Sequence, residues 1–300
     1  MKHVLSVSIG SSKRDHKVEM EILGEKVIIE RRGTDGDIKK AIEIVKEMDG
    51  KVSAFGMGGI DLYLCAGNRR YVVRDAVPIA RAAKISPIVD GSGLKNTLER
   101  KVISYLVSEN KLDFKGKKVL LVSGMDRFGM AEALERAGCD LVVGDLIFAL
   151  GIPIPIHSLK TLDILAKLVA PLACKLPFKM LYPTGDKQEK VNTKYQRFYD
   201  GADIIAGDFH FIRRYMPAEM PGKIIITNTV TKDDVSLLAE RGVKMLITTT
   251  PELGGRSFGT NVMEAVLVSL SDKPYKSLTP KDYEELLMKI GFTPRIETLN

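Results

Sequence analysis

The stretch Lys117 to Asp145, KKVLLVSGMDRFGMAEALERAGCDLVVGD, decides how the rest of the chain is read, because it spells a strand, a glycine turn, a helix and a second strand. Val119 to Val122 is a short apolar run suited to a buried parallel strand, and Gly124 stands where that strand turns into its helix. Gly129 falls in the first helical turn. Ala131, Leu134 and Ala137 then recur on one face, and Gly138 supplies the helix stop. Leu141 to Val143 forms the second strand, which closes with Asp145. Gly124 and Asp145 are 21 residues apart, close to the roughly 20 that separate a dinucleotide-binding turn from the acid that grips an adenosine ribose.

Amide N–H groups at a helix start lack intrahelical partners and carry partial positive charge, so a pyrophosphate is stabilised there. On this reading Gly124, Asp126, Arg127, Phe128 and Gly129 form the pyrophosphate turn, and Asp145 holds the ribose. Asp126 takes the place of the second glycine of GxGxxG, where it adds a Cβ and a repelling charge. Arg127 either offsets that charge or pairs with Asp126 and seals the turn. The competing reading is an ordinary strand-to-helix turn with no nucleotide.

The 300 residues carry a net charge of +7, are 45% hydrophobic and 28% charged, and suit one large or two medium globular domains. The basic excess is dispersed in pairs such as Arg31-Arg32, Arg69-Arg70 and Arg213-Arg214, with no recognisable nucleic-acid motif, which reads as solvated surface in preference to a nucleic-acid patch. Cys65, Cys139 and Cys174 are far apart in sequence with no CxxC pair, so reduced thiols in a cytoplasmic protein are expected and a metal cluster is not. The N-terminal MKHVLSVSIG is too weakly apolar for a signal peptide, and no membrane span is expected.

An α/β fold follows: an N-terminal α/β domain over 1–112, a Rossmann-like doubly wound parallel sheet over 113–272, and a C-terminal helix over 273–300 that packs back. Val18 to Leu23 and Val27 to Glu30 flank Gly24 as a hairpin, and Asp35 caps a helix that stops at Gly50. GMGGIDLYLCAGNRR bends on its glycines. In PIVDGSGLKNTLER, starting at Pro87, a strand ends at Asp90, a small-residue turn follows, and Lys95 and Asn96 open a helix. That geometry converges amides and an ammonium on one point. Leu159 to Leu181 is an apolar helical piece within an insertion at about 157–199, read as buried between domains or in a homodimer contact through 157–181, with attachment to a membrane surface the more distant alternative. The polar TGDKQEKVNTK reads as a lid or surface excursion. Asp203 to Ala206, Lys223 to Thr227 and Lys244 to Thr248 complete the parallel strands. Ligands gather at the carboxyl ends of such strands, which adds Asp208, Asn228 and Thr249 to the cofactor set. Ser92, Asn96, Arg256, Ser257 and Asn261 make up the expected substrate set. Thr231 caps a helix that ends at Gly242, a further helix runs from about Thr260 to Leu270, and Thr279 with Pro280 opens the terminal helix, which stops at Gly291.

VSIGSSKRDH, GGIDLYLCAGNRRY, DGSGLKNTLER, SGMDRFGMAEAL, GDFHFIRRYMP and TTTPELGGRSFGTNVMEA together resemble bacterial proteins labelled as quinate 5-dehydrogenases, over nearly the whole length. The resemblance implies NAD(P)-dependent oxidation of a cyclic hydroxy acid of the quinate or shikimate type. The sequence departs from shikimate and quinate dehydrogenases in lacking NxTxPxK and NTDG stretches, so no catalytic residue is carried over. The residues themselves offer Lys95, with Asp90 before it, as first acid/base and His210 as second. Asp145 with no adjacent arginine favours NAD, with NADP the alternative cofactor. A small-molecule substrate is expected. Two other classes stay open: a non-catalytic nucleotide-binding or regulatory protein, and a transferase or lyase acting on a phosphorylated metabolite.

Overall fold

The structure, a computed structural model, describes residues 1–66, 69–177, 193–253 and 256–300. Phe178 to Leu181, most of TGDKQEKVNTK and Gly67-Asn68 lie outside the described residues, as do the side chains of Cys65 and Arg256. The chain forms two compact units. The first comprises Met1–Thr97, the segment beginning at Val169, and Gly259–Phe292. The second comprises Leu98–Leu168, the segment ending at Phe258, and Thr293–Asn300.

In the first unit β1 (Lys2–Ser8) lies between β3 (Glu25–Gly33) and β4 (Ala54–Gly58), parallel to both, while β2 (His16–Ile22) pairs antiparallel with β3. The expected hairpin is present, and its turn holds Leu23 and Gly24 at φ 55° and 75°, which glycine adopts at no steric cost. The helix α1 (Ile38–Met48) is capped by Asp37, whose side chain accepts the Lys40 N–H. Asp35, the expected cap, instead accepts the Ser12 N–H at 2.7 Å. After a small hairpin of β5 (Tyr63–Ala66) and β6 (Arg69–Val72) and the short α2 (Val77–Ala80), β7 (Ile88–Val89) pairs parallel with β4. Leu5, Val7, Ile9, Val45, Phe55 and Met57 anchor this core.

α3 (Ser92–Ser108) begins in the first unit and continues in the second. There β8 (Lys118–Leu121), α4 (Phe128–Arg136) and β9 (Asp140–Val143) reproduce the strand, helix, strand unit read from Lys117 onward, and Gly138 ends the helix at φ 81°. Asp145 opens the short α5 (Asp145–Phe148), and α6 (Leu159–Ala173) and α7 (Gln196–Asp200) follow. β10 (Ile204–Gly207), α8 (Phe209–Tyr215), β11 (Ile224–Thr227), α9 (Lys232–Glu240) and β12 (Met245–Thr248) extend the sheet, and β13 (Glu252–Leu253) pairs with β14 (Arg256–Ser257) as a separate small ribbon. Thr231 caps its helix as read, and the structure adds Asp234, whose side chain accepts the Thr231 N–H to complete a capping box. The strand order is β15-β12-β11-β10-β8-β9, parallel except for the antiparallel edge strand β15 (Arg295–Thr298). Leu120, Phe148, Tyr199, Ile205, Phe209, Ile225 and Leu246 fill this core. The chain is therefore an α/β protein with two parallel-rich sheets.

The compact units do not follow the sequential boundaries expected at 112 and 272. Among the described residues the chain passes between units within α3, within α6 after Leu168, at Phe258/Gly259 and at Phe292/Thr293, and α10 (Thr260–Leu270) and α11 (Pro280–Lys289) belong with the first sheet. The reason is packing between residues distant in sequence. α10 approaches the first sheet so closely that a Cβ on Gly56 would sit 2.9 Å from the Asn261 carbonyl oxygen, and a Cβ on Gly91 would sit 2.8 Å from the Asn261 nitrogen. Gly91 also holds φ 94°, a conformation L-residues rarely adopt.

Gly91→Ala should therefore lower unfolding stability by about 2–4 kcal/mol in urea titrations. Gly116→Ala, at φ 71° but facing open space, should cost only about 1 kcal/mol. Equal losses at the two positions would refute the close-approach explanation.

Candidate functional site

In the second unit β8 lies between β9 and β10, so the crevice beyond the carboxyl ends of β8 and β10 is the point where strand order reverses. Ligands of open α/β sheets gather at such a point. Here the protein's own side chains occupy it. The Asp145 carboxylate accepts the Gly124 N–H at 2.6 Å and the Met125 N–H at 2.9 Å. These are the amides on which a pyrophosphate was expected, so Asp145 closes the turn and is not placed as a ribose acid. Gly124 is small for a different reason from the one expected: a Cβ there would meet Val143 at 2.5 Å and Leu162 at 3.1 Å. Burial pushes the Asp145 carboxyl up to about 6; the two amide bonds counter that shift and the Asp126 charge adds to it.

Arg127, buried, is the second occupant. Its guanidinium donates to Glu99 on α3 and, at 3.1 Å, to Asp208 just past β10, with Asp126 at 4.0 Å. Of the two expected roles for Arg127, sealing the turn is realised, mainly through Glu99 and Asp208. Asn228, past β11, donates from Nδ2 to the same Asp208 oxygen at 2.8 Å, and Thr250, past β12, donates to the Asn228 carbonyl at 2.9 Å. One hydrogen-bonded array thus runs across the ends of four adjacent strands. Burial alone would push the Asp208 carboxyl up, but the charges of His210 and Arg127 and the N–H bonds from both bring it down to about 2. Although burial opposes it, the arginine is held charged by Glu99, Asp126 and Asp208. Three carboxylates around one guanidinium leave the array net negative, which disfavours an anionic ligand there. Among the described residues, Arg127 Nε and Thr249 Oγ1 are buried with no hydrogen-bond partner.

The remaining expected residues of this unit are placed as follows. Phe128 opens α4 half-buried, and Gly129 is buried in its first turn. His210 is exposed on α8, with its N–H bonded to Asp208 Oδ1 at 2.9 Å, so the aromatic context does not bury it. Ser257 Oγ lies 3.3 Å from Thr248 Oγ1.

Lys95, Asp90, Ser92, Asn96 and Asn261 belong to the first unit. Asp90 is engaged by the chain itself: its oxygens accept the N–H groups of Leu62, Tyr63 and Ser92 and the Ser92 hydroxyl at 2.6–3.1 Å. It is a clasp for the turn after β7. Lys95 Nζ lies 3.7 Å from Asp61 Oδ1, which gives its ammonium a counter-charge. Asn96 is half-buried on α3, and Asn261 donates from Nδ2 to Ser6 Oγ at 2.9 Å, a tie from α10 to β1. A residue the sequence did not single out joins this cluster. Glu264 on α10 is buried and accepts the Tyr283 hydroxyl on Oε1 at 2.8 Å, while Oε2 has no partner among the described residues. Burial and the neighbouring Asp90 charge push its carboxyl up to about 7, against the pull of Tyr283, the Gly91 amide and Arg70. Its place in an otherwise apolar helical stretch was the available signal. Among the described residues no three His, Cys, Asp or Glu side chains converge in a way that could hold a metal.

A family model described as a domain of unknown function, DUF8754, matches residues 93–299, and a second, DUF8753, matches 3–90. The chain belongs to the DUF8754 family. The DUF8754 region contains Arg127, Asp145, Asp208 and Asn228, and its description names no activity. A search of curated proteins found no match. Among solved structures the chain is similar to a galactofuranose binding protein, at 14% identity over 97% of this chain and 99% of that one, with a TM-score of 0.37. It is similar to GanP, a glucose-galactose binding protein from Geobacillus stearothermophilus, at 10% identity over 99% and 97%, with a TM-score of 0.38. It is also similar to an NAD-dependent malic enzyme from Thermotoga maritima, at 12% identity over 96% and 84%, with a TM-score of 0.32. Likenesses at this level assign no function to the DUF8754 chain.

Two measurements test these electrostatics. Glu264 holds its proton more tightly folded than unfolded, so ionising it costs stability as pH rises from about 4.5 to 7. The loss should total on the order of 3 kcal/mol. Glu264→Gln, whose amide oxygen still accepts from Tyr283, should flatten that part of a melting-temperature profile against pH; an unchanged profile would remove Glu264 from the account. Arg127→Met strands Glu99 and Asp208 and should destabilise by about 3–5 kcal/mol. Adding Glu99→Gln should recover part of the loss in denaturant titrations.

Proposed function

We propose that this protein binds a small, uncharged, hydroxyl-rich metabolite at the carboxyl edge of the second sheet. The observation that carries this reading is the use of the Gly124 and Met125 amides by Asp145, combined with an acceptor-rich, net negative surround. Asp208 stays ionised across the physiological range and can accept from ligand hydroxyls. Asp126 has a 35% exposed side chain and supplies a second acceptor. Arg127 and Asn228 on Oδ2 and the His210 N–H on Oδ1 position Asp208, which leaves one of its roughly four acceptor directions for a ligand donor.

A second reading is an oxidoreductase transferring a hydride between NAD, or NADP, and a hydroxy acid of the quinate or shikimate type. It is supported by the resemblance of the quoted motifs over nearly the full chain and by the open α/β sheet with its reversal point at β8. It requires Asp145 to release the turn amides, or the dinucleotide to bind elsewhere.

Thermal-shift titrations with neutral hexoses and inositol, with quinate and shikimate, and with NAD and NADP separate the two readings. A saturating shift with a neutral polyol, weakened about tenfold by Asp126→Asn, is the expected result. No polyol response, together with a shift by NAD that Asp145→Ala strengthens, would overturn it in favour of the oxidoreductase.

A further inference from the structure

α6 carries apolar side chains on two opposite faces. Leu162, Ala166 and Ala170, with Cys174 just beyond the helix, repeat every fourth residue and are buried. Ile164, Leu168 and Leu172 repeat with the same spacing on the other side and are 51%, 65% and 68% exposed; Leu176 follows, also exposed. A helix that is apolar all round is normally buried all round, so the second face is the one that calls for a partner. Three more exposed apolar side chains, Leu150, Ile152 and Ile154, lie in the segment before α6.

Charge identifies the kind of partner. Lys160 and Lys167 are exposed and, at 100° per residue, lie within about 60° of Ile164 around the helix, on one border of the apolar stripe. Lys175 follows the last turn and is also exposed. The acid on α6, Asp163, is paired with Lys167 at 2.5 Å. An apolar stripe edged by ammonium groups complements a surface that offers acyl chains beneath a layer of phosphates. No helix among the described residues is long and apolar enough to cross a membrane, so the geometry is that of a helix lying in the interface plane.

We propose that the exposed face of α6 docks on an anionic phospholipid surface, with Ile164, Leu168 and Leu172 entering the headgroup boundary and Lys160 and Lys175 meeting lipid phosphates. The test is flotation of the full chain with vesicles of phosphatidylcholine alone or mixed with phosphatidylserine. The expected result is binding to the serine-containing vesicles only, reduced by added salt. It should fall about fivefold for each of Lys160→Gln and Lys175→Gln and be lost in Leu168→Glu/Leu172→Glu. Both leucines are exposed, so the double variant should keep its circular dichroism spectrum and melting temperature. Flotation no better than on phosphatidylcholine, or undiminished in the folded double variant, would overturn the proposal. So would a concentration-dependent dimer in sedimentation velocity that the double variant abolishes, because the face would then belong to a second copy.

Discussion

The buried guanidinium of Arg127 is the constraint on which the carboxyl edge of the second sheet depends. A charge taken out of water is tolerated only when paired and hydrogen-bonded, and here Glu99 and Asp208 supply the partners. Through them, one side chain from the β8–α4 turn ties α3 to the end of β10. Asn228 then carries the network to β11 and Thr250 to β12. Asp145 completes the closure by covering the two amides that would otherwise attract an anion.

The chemistry offered by this edge follows from that arrangement. Arg127 is spent on the protein's own carboxylates, so what remains for a ligand is Asp208, fixed in its ionised form, with Asp126 more exposed beside it. Acceptors of this kind suit hydroxyl donors and repel phosphates. The feature that makes the turn look like a nucleotide site in sequence, a glycine followed by an acid at the right interval, is thus satisfied internally by the acid itself.

The first unit depends on a different constraint, the close approach of α10 to the sheet. Gly56 and Gly91 leave room for the helix backbone at Asn261, and Asn261 in turn holds Ser6. The same approach brings Glu264 against Tyr283 and the Asp90 turn. A carboxyl that is costly to charge is therefore built into the helix that returns the chain to the first sheet.

Much of the local structure was legible because it rests on neighbours in sequence. The strand-turn-helix unit from Lys117, the hairpin at Leu23-Gly24, and the capping threonines Thr231 and Thr279 each depend on contacts within a few residues. They were read from residue type and spacing alone. The roles of Asp145, Asp90 and Lys95 and the destination of α10 were decided only in three dimensions. Asp145 and Gly124 have a spacing that suits a ribose acid equally well, and only the fold turns the carboxylate back onto the amides. Lys95 finds Asp61, and Asn261 finds Ser6, across separations that no local periodicity encodes. Hydrogen bonds and charge pairs between distant segments are chosen by burial, where an unpaired polar group is most costly, and burial exists only once the chain has folded.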